Sequence, residues 1–257
     1  MLWVKWKLMV TTLPFVAAVV AVKVLLEQVV GWPGIVDFSE VGIVLTAGVF
    51  LTGFMLAGVM ADYKESEKLP GDLASTLETL EEIVVQACAH KATLQPDPLR
   101  RAVAALADDL RSWLLRTRTQ EQTYASLTKF HEVLQQLERD GGGAYASRGI
   151  GELHNLRKIV TRIGVISRTG FLPPAYALLE TLNVLIVVLL LASKFKGVLA
   201  EFILVPFVTL IYVYMLRLIR DIDDPFDYAP DGSKRGGAEV ELFPLDEFRA
   251  RIASRLK

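Results

Sequence analysis

The chain has 257 residues, enough for one sizeable core or two smaller ones, and 52% of them are hydrophobic. Its formal net charge is −1, and the sequence holds no concentrated basic surface of the kind that phosphate binding requires, so we expect no nucleic-acid partner. The single cysteine, Cys88, excludes an intrachain disulfide and is compatible with a reducing compartment.

The hydrophobic residues are concentrated in four segments, each long enough to cross the hydrocarbon core of a bilayer as a helix of roughly 20 residues. The segments are about Leu8–Val30, Val41–Ala61, Ala175–Ser193 and Val198–Leu216. A short turn joins the first to the second, and another joins the third to the fourth, so the segments form two hairpins. We therefore predict a multi-pass membrane protein that has the lipid bilayer as a partner.

The first segment has a second possible interpretation. Lys5 and Lys7, followed by an apolar run, are also typical of a secretory signal peptide. The apolar pattern continues through "VLLEQVVGW", however, and Lys23 and Glu27 are four residues apart, so they are able to pair on one helix face. This continuation favours a spanning helix, with the charged pair near its far end or turned toward other helices.

Helical patterns fill the polar region between the two hairpins. Apolar residues recur every three or four positions in stretches that begin near Pro70, Asp97, Glu121 and Ile150. Because such helices must bury one apolar face each, we predict that they form a bundle. The predicted fold class is an all-α membrane protein, with four transmembrane helices in two hairpins flanking a cytoplasmic helical bundle. Its predicted parts are 1–61 (first hairpin), 62–174 (cytoplasmic helical region), 175–217 (second hairpin) and 218–257 (cytoplasmic tail).

Basic residues set the predicted orientation. Lys5 and Lys7 precede the first segment, and the central region holds 15 lysines and arginines. The positive-inside tendency therefore places the N-terminus, the central region and the C-terminus on the cytoplasmic side of the cell membrane. Lys194 and Lys196, in the turn of the second hairpin, act against this assignment.

No pattern in the sequence indicates catalysis. His90, His131 and His154 lie on three different predicted helices and lack a second ligand at metal-site spacing. The stretch "GGGAYASRGIG" follows a helix and lacks the lysine of a phosphate-binding loop, so we interpret it as a flexible connector. No serine lies in a nucleophile-elbow pattern. We expect no enzymatic activity, no cofactor and no metal.

The second apolar segment contains the stretch "TAGVFLTGFMLAG", residues 46–58, within a run of 21 uncharged residues. Phe50 and Phe54 are four residues apart and therefore lie on one stripe of a helix. Three glycines are interspersed with this stripe, at Gly48, Gly53 and Gly58. Taken alone, the two phenylalanines also fit a position facing lipid or packed between helices.

Short motifs in this segment and beyond it resemble those of the bestrophin family. "LTGF", residues 51–54, resembles the family's "LGF" in the second membrane helix, and "EKLPGDL" follows at a spacing close to that of the family's "ENLPW" or "RNLWG". "DDPFDY", beyond the fourth segment, resembles "NPFG" or "DPFG", and "FPLDEF", residues 243–248, resembles the later "LPLD". The motifs occur in the family's order, and the architecture extends the resemblance over most of the chain.

The resemblance implies a homopentameric anion channel, with an inorganic anion such as chloride as its ion. It also implies that the second membrane helix lines the pore and that Thr46, Phe50 and Phe54 form a constricted neck of stacked rings. The edge of a phenyl ring carries partial positive charge that suits a poorly hydrated anion, and an apolar constriction gates by dewetting. The three interspersed glycines would let neighbouring helices approach closely.

The family motif beyond the last membrane helix corresponds to Asp224, Pro225 and Phe226. Animal bestrophins carry a dense acidic run after this motif that helps to bind calcium, whereas only Asp227 and Asp231 follow it here. Calcium requires several oxygen ligands, and we therefore do not extend the resemblance to a calcium site.

Two arginines lie close to these acids in the sequence. We interpret the acidic residues as a solvated helix end, with Arg217 and Arg220 near enough for local ion pairs. In the third segment, Glu180 and Asn183 lie one turn apart, and both should face protein or water, or sit at the membrane interface, because their burial against lipid is costly.

A second functional class remains open from the sequence. The large cytoplasmic bundle and the reduced acidic cluster also fit a non-conducting, membrane-anchored helical scaffold or interaction protein. A ring of five subunits with the second segment at its axis would favour the channel, whereas a monomer or dimer would favour the scaffold.

Overall fold

The computed structural model describes residues 2–32, 34–91 and 93–256, with the backbone alone for residues 2–5. Its elements are, in chain order, α1 (Leu2–Gln28), β1 (Val36–Asp37), α2 (Phe38–Ser66), α3 (Leu69–His90), α4 (Pro96–Leu114), α5 (Gln120–Leu137), a π-helical turn (Glu138–Gly142), α6 (Gly143–Ile166), α7 (Pro173–Ala192), β2 (Ser193–Lys194), α8 (Val198–Asp223) and α9 (Phe243–Arg255).

Four of these helices, α1, α2, α7 and α8, are long and apolar enough to cross a membrane. They coincide with the four predicted segments, so the prediction of an all-α membrane protein is confirmed. The main difference is at the end of α8, which continues beyond the predicted end at Leu216 to Asp223. Hydropathy marks the lipid-compatible part of a helix, whereas the backbone hydrogen bonds continue into its polar end.

The chain divides into two compact units. The membrane unit comprises the chain up to Tyr63, Gly170–Asp224 and Gly236–Ala238. The bundle unit comprises Lys64–Thr169, Pro225–Arg235 and the chain from Glu239 onward.

In the membrane unit, α1 lies along α8, and α8 also contacts α7. Helix α2 joins this group through apolar side chains, because its Met55 and Val59 form one buried cluster with Leu179 of α7 and with Ile219 and Ile222 of α8. Burial of these side chains supplies the main stabilisation between helices whose backbone hydrogen bonds are satisfied internally.

Two short extended segments link the turns of the membrane unit. Strands β1 and β2 form a two-residue parallel pair in which Val36 lies opposite Ser193. Beside it, the rings of Phe38 and Phe195 stack with their centroids 4.8 Å apart. No strand was predicted here, since two residues are too few to produce a detectable alternation.

Lys23 is a charged side chain buried inside the membrane unit, with 2% of its surface exposed. Its Nζ lies 2.9 Å from the Glu27 carboxylate, which confirms the predicted pair, and 3.5 Å from the Glu201 carboxylate. It also donates to the carbonyls of Ser193 at 2.6 Å and Leu191 at 3.3 Å. Because α7 ends at Ala192, the ammonium satisfies carbonyls at the C-terminus of that helix.

In the bundle unit, α3 contacts α4, α6 and α9. The predicted apolar stripes face inward, as the fully buried side chains show: Leu73, Leu77, Leu80, Val103, Leu110, Leu127, Leu134, Leu156 and Val160. The tail contributes α9, whose Phe248 is fully buried.

The glycine-rich stretch is largely helical. A π-helical turn over Glu138–Gly142 joins α5 directly to α6, with Gly141 in the left-handed region at φ 92°. The interpretation of "GGGAYASRGIG" as a flexible connector is therefore wrong, since most of it forms the first turns of α6. Gly149 explains part of the glycine content, because a Cβ there would lie 2.8 Å from a methyl of Leu134.

Candidate pore-lining site

Helix α2 has one packed face and one free face within the chain. The buried residues of its apolar part are Val41, Gly48, Thr52, Met55 and Val59, which repeat at intervals of three, four or seven and so share one side of the helix. The hydroxyl of Thr52 donates to the Gly48 carbonyl of the same helix at 2.8 Å. This side contacts α7 and α8 through the clusters of the membrane unit.

Thr46, Phe50 and Phe54 lie together on the opposite side. At about 100° per residue, Phe50 is roughly 200° around the helix from Gly48. Phe50 is 73% exposed and Phe54 is 72% exposed, and Thr46 is exposed as well. The hydroxyl of Thr46 donates to the Gly42 carbonyl at 2.9 Å. Both rings are thus largely uncovered by the described residues, and their position in an assembly stays a prediction.

The three glycines have different surroundings. A Cβ on Gly48 would lie 2.6 Å from the hydroxyl oxygen of Tyr212, and a Cβ on Gly58 would lie 3.1 Å from the ring of Phe171. Both positions thus allow a close approach within the chain. Gly53 has open space beside it and lies on the side of the exposed stripe, so its predicted packing role stays a prediction for a neighbouring subunit.

Sequence reasoning missed Tyr212. This residue of α8 is buried, and its hydroxyl donates to the Leu45 carbonyl of α2 next to Gly48. The signal available in the sequence was a tyrosine within an apolar helix, since a buried phenol normally requires a hydrogen-bond acceptor. Nothing in the spacing indicated that the acceptor would be a carbonyl 167 residues away.

The polar residues of α7 contact protein groups, as expected. Glu180 forms an ion pair with Arg220 of α8, and both side chains are about half exposed. Asn183 is buried and donates to the Leu179 carbonyl at 2.9 Å, while its Oδ1 atom is buried and has no hydrogen-bond partner among the described residues.

The acidic residues at the end of α8 accept hydrogen bonds from backbone and side-chain donors of the membrane unit. Asp223 accepts from the Phe171 N–H at 2.9 Å and from the Tyr176 hydroxyl at 2.9 Å, and Asp221 accepts from the Gly237 N–H at 3.0 Å. These acids therefore connect the end of α8 to the start of α7 and to the tail.

The two arginines of α8 contact other helices. Arg217 donates to the Thr11 carbonyl and to the Thr12 hydroxyl of α1, whereas Arg220 contacts Glu180. The predicted local pairs of Arg217 and Arg220 with the acidic helix end are thus wrong. On a helix, the side chains of these arginines project toward α1 and α7, which the sequence order did not indicate.

Beyond α8, the motif Asp224, Pro225 and Phe226 begins a loop. Phe226 is buried, and the Pro225 carbonyl accepts from the Val240 N–H at 3.0 Å. Asp227 contacts Arg116 at 3.1 Å and Arg235 at 3.4 Å.

Asp231 makes a local turn in the same loop. It accepts from the Ser233 hydroxyl at 2.7 Å and from the Ser233 N–H at 2.9 Å. These bonds lower the pKa of the Asp231 carboxyl. The acidic side chains that follow the motif are thus engaged by protein donors.

Two of the histidines contact polar side chains of other residue types. His90 contacts the hydroxyl of Tyr145 at 2.9 Å, and His131 contacts the amide of Gln135 at 3.2 Å. Over residues 2–32, 34–91 and 93–256, no group of three or more histidine, cysteine and acidic side chains is arranged to hold a metal ion.

Comparisons with known proteins identify the fold. No family model and no curated protein matches the sequence. The crystal structure of a bacterial bestrophin homologue from Klebsiella pneumoniae matches with a TM-score of 0.72 at 13% identity, over 96% of this chain and 98% of that chain. A variant of that homologue matches with a TM-score of 0.72 at 15% identity, over 96% and 97% of the two chains.

A crystal structure described as a membrane protein matches with a TM-score of 0.69 at 15% identity, over 97% of this chain and 98% of that chain. The likeness covers both units and extends over nearly the whole length. The protein therefore has a divergent, all-helical, bestrophin-like membrane fold.

Proposed function

We propose that this protein is a homopentameric anion channel in the cell membrane, with chloride as its expected ion and with α2 of each subunit lining the pore. One observation carries the proposal: Thr46, Phe50 and Phe54 form an exposed stripe on the side of α2 that faces away from its packed side. In a chain with a bestrophin-like fold, this stripe corresponds to the neck that the sequence resemblance implies.

Five copies of the stripe would form three rings about a central axis. Successive rings would be about 6 Å apart, because four residues separate their members. The phenylalanine rings would make the narrow part apolar and would offer partially positive edges to a weakly hydrated anion. Thr46 adds little polarity, since its hydroxyl is already bonded to a backbone carbonyl.

Gly53 supports the same arrangement. It lies on the exposed side of α2, and a Cβ added to it would have no atom of the described residues within 4 Å, so a side chain would cost nothing in packing there. A glycine at this position is explained if α2 helices of adjacent subunits approach each other there.

We further propose that the N-terminus, the bundle unit and the C-terminus are cytoplasmic. The function proposed is passive transport, and we assign the protein no enzymatic activity and no cofactor.

Replacing both phenylalanines tests the neck. The double change Phe50→Ala and Phe54→Ala widens the constriction and makes its wall easier to wet, without adding charge. We expect chloride flux into liposomes to rise at least several-fold, with weaker selectivity between anions of different hydration. Class-averaged images of the same preparation should still show a fivefold ring.

Helix α8 supplies a matched control. Phe202 and Phe207 are also exposed, at 52% and 57%, so the double change Phe202→Ala and Phe207→Ala removes the same atoms from another helix. This control should leave flux unchanged. Unchanged flux in the α2 variant would instead place its phenylalanines against lipid, and a monomeric or dimeric wild type without flux would favour the membrane-anchored scaffold.

A further inference from the structure

We infer that Tyr212 is a positioning residue for the proposed neck, because its hydroxyl fixes the rotation and height of α2 through a contact that only a glycine at position 48 permits. The inference rests on the proposed function. Tyr212 does not line the exposed stripe; it would act on the stripe from the opposite side of the helix.

The contact is specific and buried. Tyr212 is 2% exposed, and its ring belongs to a buried cluster with Ile186 and Leu190 of α7. Its hydroxyl donates to the Leu45 carbonyl of α2. The phenol therefore meets the α2 backbone at one particular turn.

Gly48 makes this approach possible. A Cβ at position 48 would lie 2.6 Å from Oη and 3.0 Å from Cε1 of Tyr212, and 3.1 Å from a methyl of Ile186. Any side chain at this position would push the phenol away from the Leu45 carbonyl. The glycine and the tyrosine thus form one interlocking pair between α2 and α8.

The pair lies at the height of the proposed neck. Gly48 lies between Thr46 and Phe50 in the sequence, and Leu45 directly precedes Thr46. Gly48 faces roughly the opposite direction to Phe50. A slip of one residue along α2 would move the stripe by about 1.5 Å and turn it by about 100°. The side chain of Phe50 would then no longer belong to the ring of five phenylalanines around the proposed pore.

Other contacts of α2 specify this register less sharply. Across residues 41–61, all of which the structure describes, the Tyr212 hydroxyl makes the one hydrogen bond between α2 and another helix. The remaining contacts are apolar side chains such as Met55 and Val59, which have no directional requirement. A hydrogen bond to a single carbonyl is directional and selects one register.

Tyr212→Phe tests the inference by removing only the hydroxyl. We expect the pentamer to persist and the fraction of misaligned α2 helices to rise about fivefold, as the loss of one neutral hydrogen bond implies. Chloride flux should rise accordingly. Tyr214→Phe, two residues further along α8, removes a hydroxyl that has no hydrogen bond among the described residues and should leave flux unchanged.

A purely structural role is distinguished by combining variants. If Tyr212 acts through the neck, Tyr212→Phe should raise flux in the wild-type background but add nothing to the Phe50→Ala and Phe54→Ala variant. Equal increases in both backgrounds would overturn the inference and leave the proposed function intact. No increase from the phenylalanine variant in an intact pentamer would overturn both.

A second pair of variants tests the contact itself. Gly48→Ala should reduce the yield of pentamer, because its Cβ meets the phenol. Adding Tyr212→Phe removes the hydroxyl oxygen, which would lie 2.6 Å from that Cβ, and should restore part of the yield. Equal losses in the single and double variants would contradict the interlocking pair.

Discussion

Lys23 shows how one residue can join three helices of the membrane unit. Its ammonium contacts Glu27 on α1 and Glu201 on α8, and it donates to carbonyls at the end of α7. A buried charge is tolerated only when its hydrogen-bonding capacity is satisfied, and Lys23 meets that condition with groups from all three helices.

Lys23→Met should therefore destabilise the protein strongly. The change removes the cation and leaves the carboxylates of Glu27 and Glu201 facing each other with the α7 carbonyls unsatisfied. We expect a loss of about 3–5 kcal/mol, the range for breaking a buried ion pair, measured as a lower thermal unfolding midpoint in detergent. The exposed Lys196 provides the control, since Lys196→Met should leave the midpoint unchanged.

A second variant separates charge from packing. If the remaining carboxylates cause the loss, adding Glu201→Gln to Lys23→Met should recover part of the stability. An unaltered midpoint in Lys23→Met alone would show that the network contributes nothing measurable.

At the scale of the element, the end of α8 is held by its acidic residues. Asp223 accepts from the backbone N–H of Phe171 and from the hydroxyl of Tyr176, so it holds the start of α7 against the end of α8. A Cβ on Gly170 would lie 2.8 Å from the same carboxylate, which shows how closely the chain passes.

Asp223→Ala should loosen this junction. Hydrogen bonds to a charged acceptor contribute about 1.5–3 kcal/mol, and we expect a loss of stability in that range with a lower thermal midpoint. Asp223→Asn, which keeps one acceptor oxygen, should fall between the wild type and Asp223→Ala. Asp231→Ala is the control because its contacts are local, and a drop equal to that of Asp223→Ala would argue against a specific junction.

The elements differ in how far the sequence predicts them. The four spans follow from length and hydropathy, because these depend on nearby residues. The choice of Thr46, Phe50 and Phe54 came from the family resemblance, and their shared side of α2 then follows from their spacing. The Lys23 pair with Glu27 is local and was predicted, whereas its contact with Ser193 joins residues 170 positions apart.

The contacts of Arg217 and Tyr212 were not predicted for the same reason. Each depends on how α1, α2 and α8 pack, and no periodicity within a single helix contains that information. The π-helical turn was missed because glycines normally end helices, whereas here Gly141 adopts a positive φ inside a continuous run of turns.

At the scale of the whole molecule, the predicted orientation decides which end of the proposed pore faces the cytoplasm and which faces the exterior. The turn between α1 and α2 and the turn between α7 and α8 both belong to the membrane unit and are joined by the β1–β2 pair. These two turns must therefore lie on the same side of the membrane, which the positive-inside tendency assigns to the exterior.

Labelling introduced cysteines tests this orientation. Ser39 at the start of α2 and Ser147 in α6 are both exposed, so a cysteine at either position is reachable from the solvent on its own side. The native Cys88 is only partly exposed, and replacing it with alanine removes the background labelling.

With an impermeant thiol reagent on intact cells, we expect Ser39→Cys to be labelled and Ser147→Cys to be protected. After the membrane is permeabilised both should react, which controls for accessibility. Labelling of Ser147→Cys but not Ser39→Cys in intact cells would reverse the topology. The bundle unit would then lie outside the cell, and the opposite end of the proposed pore would face the cytoplasm.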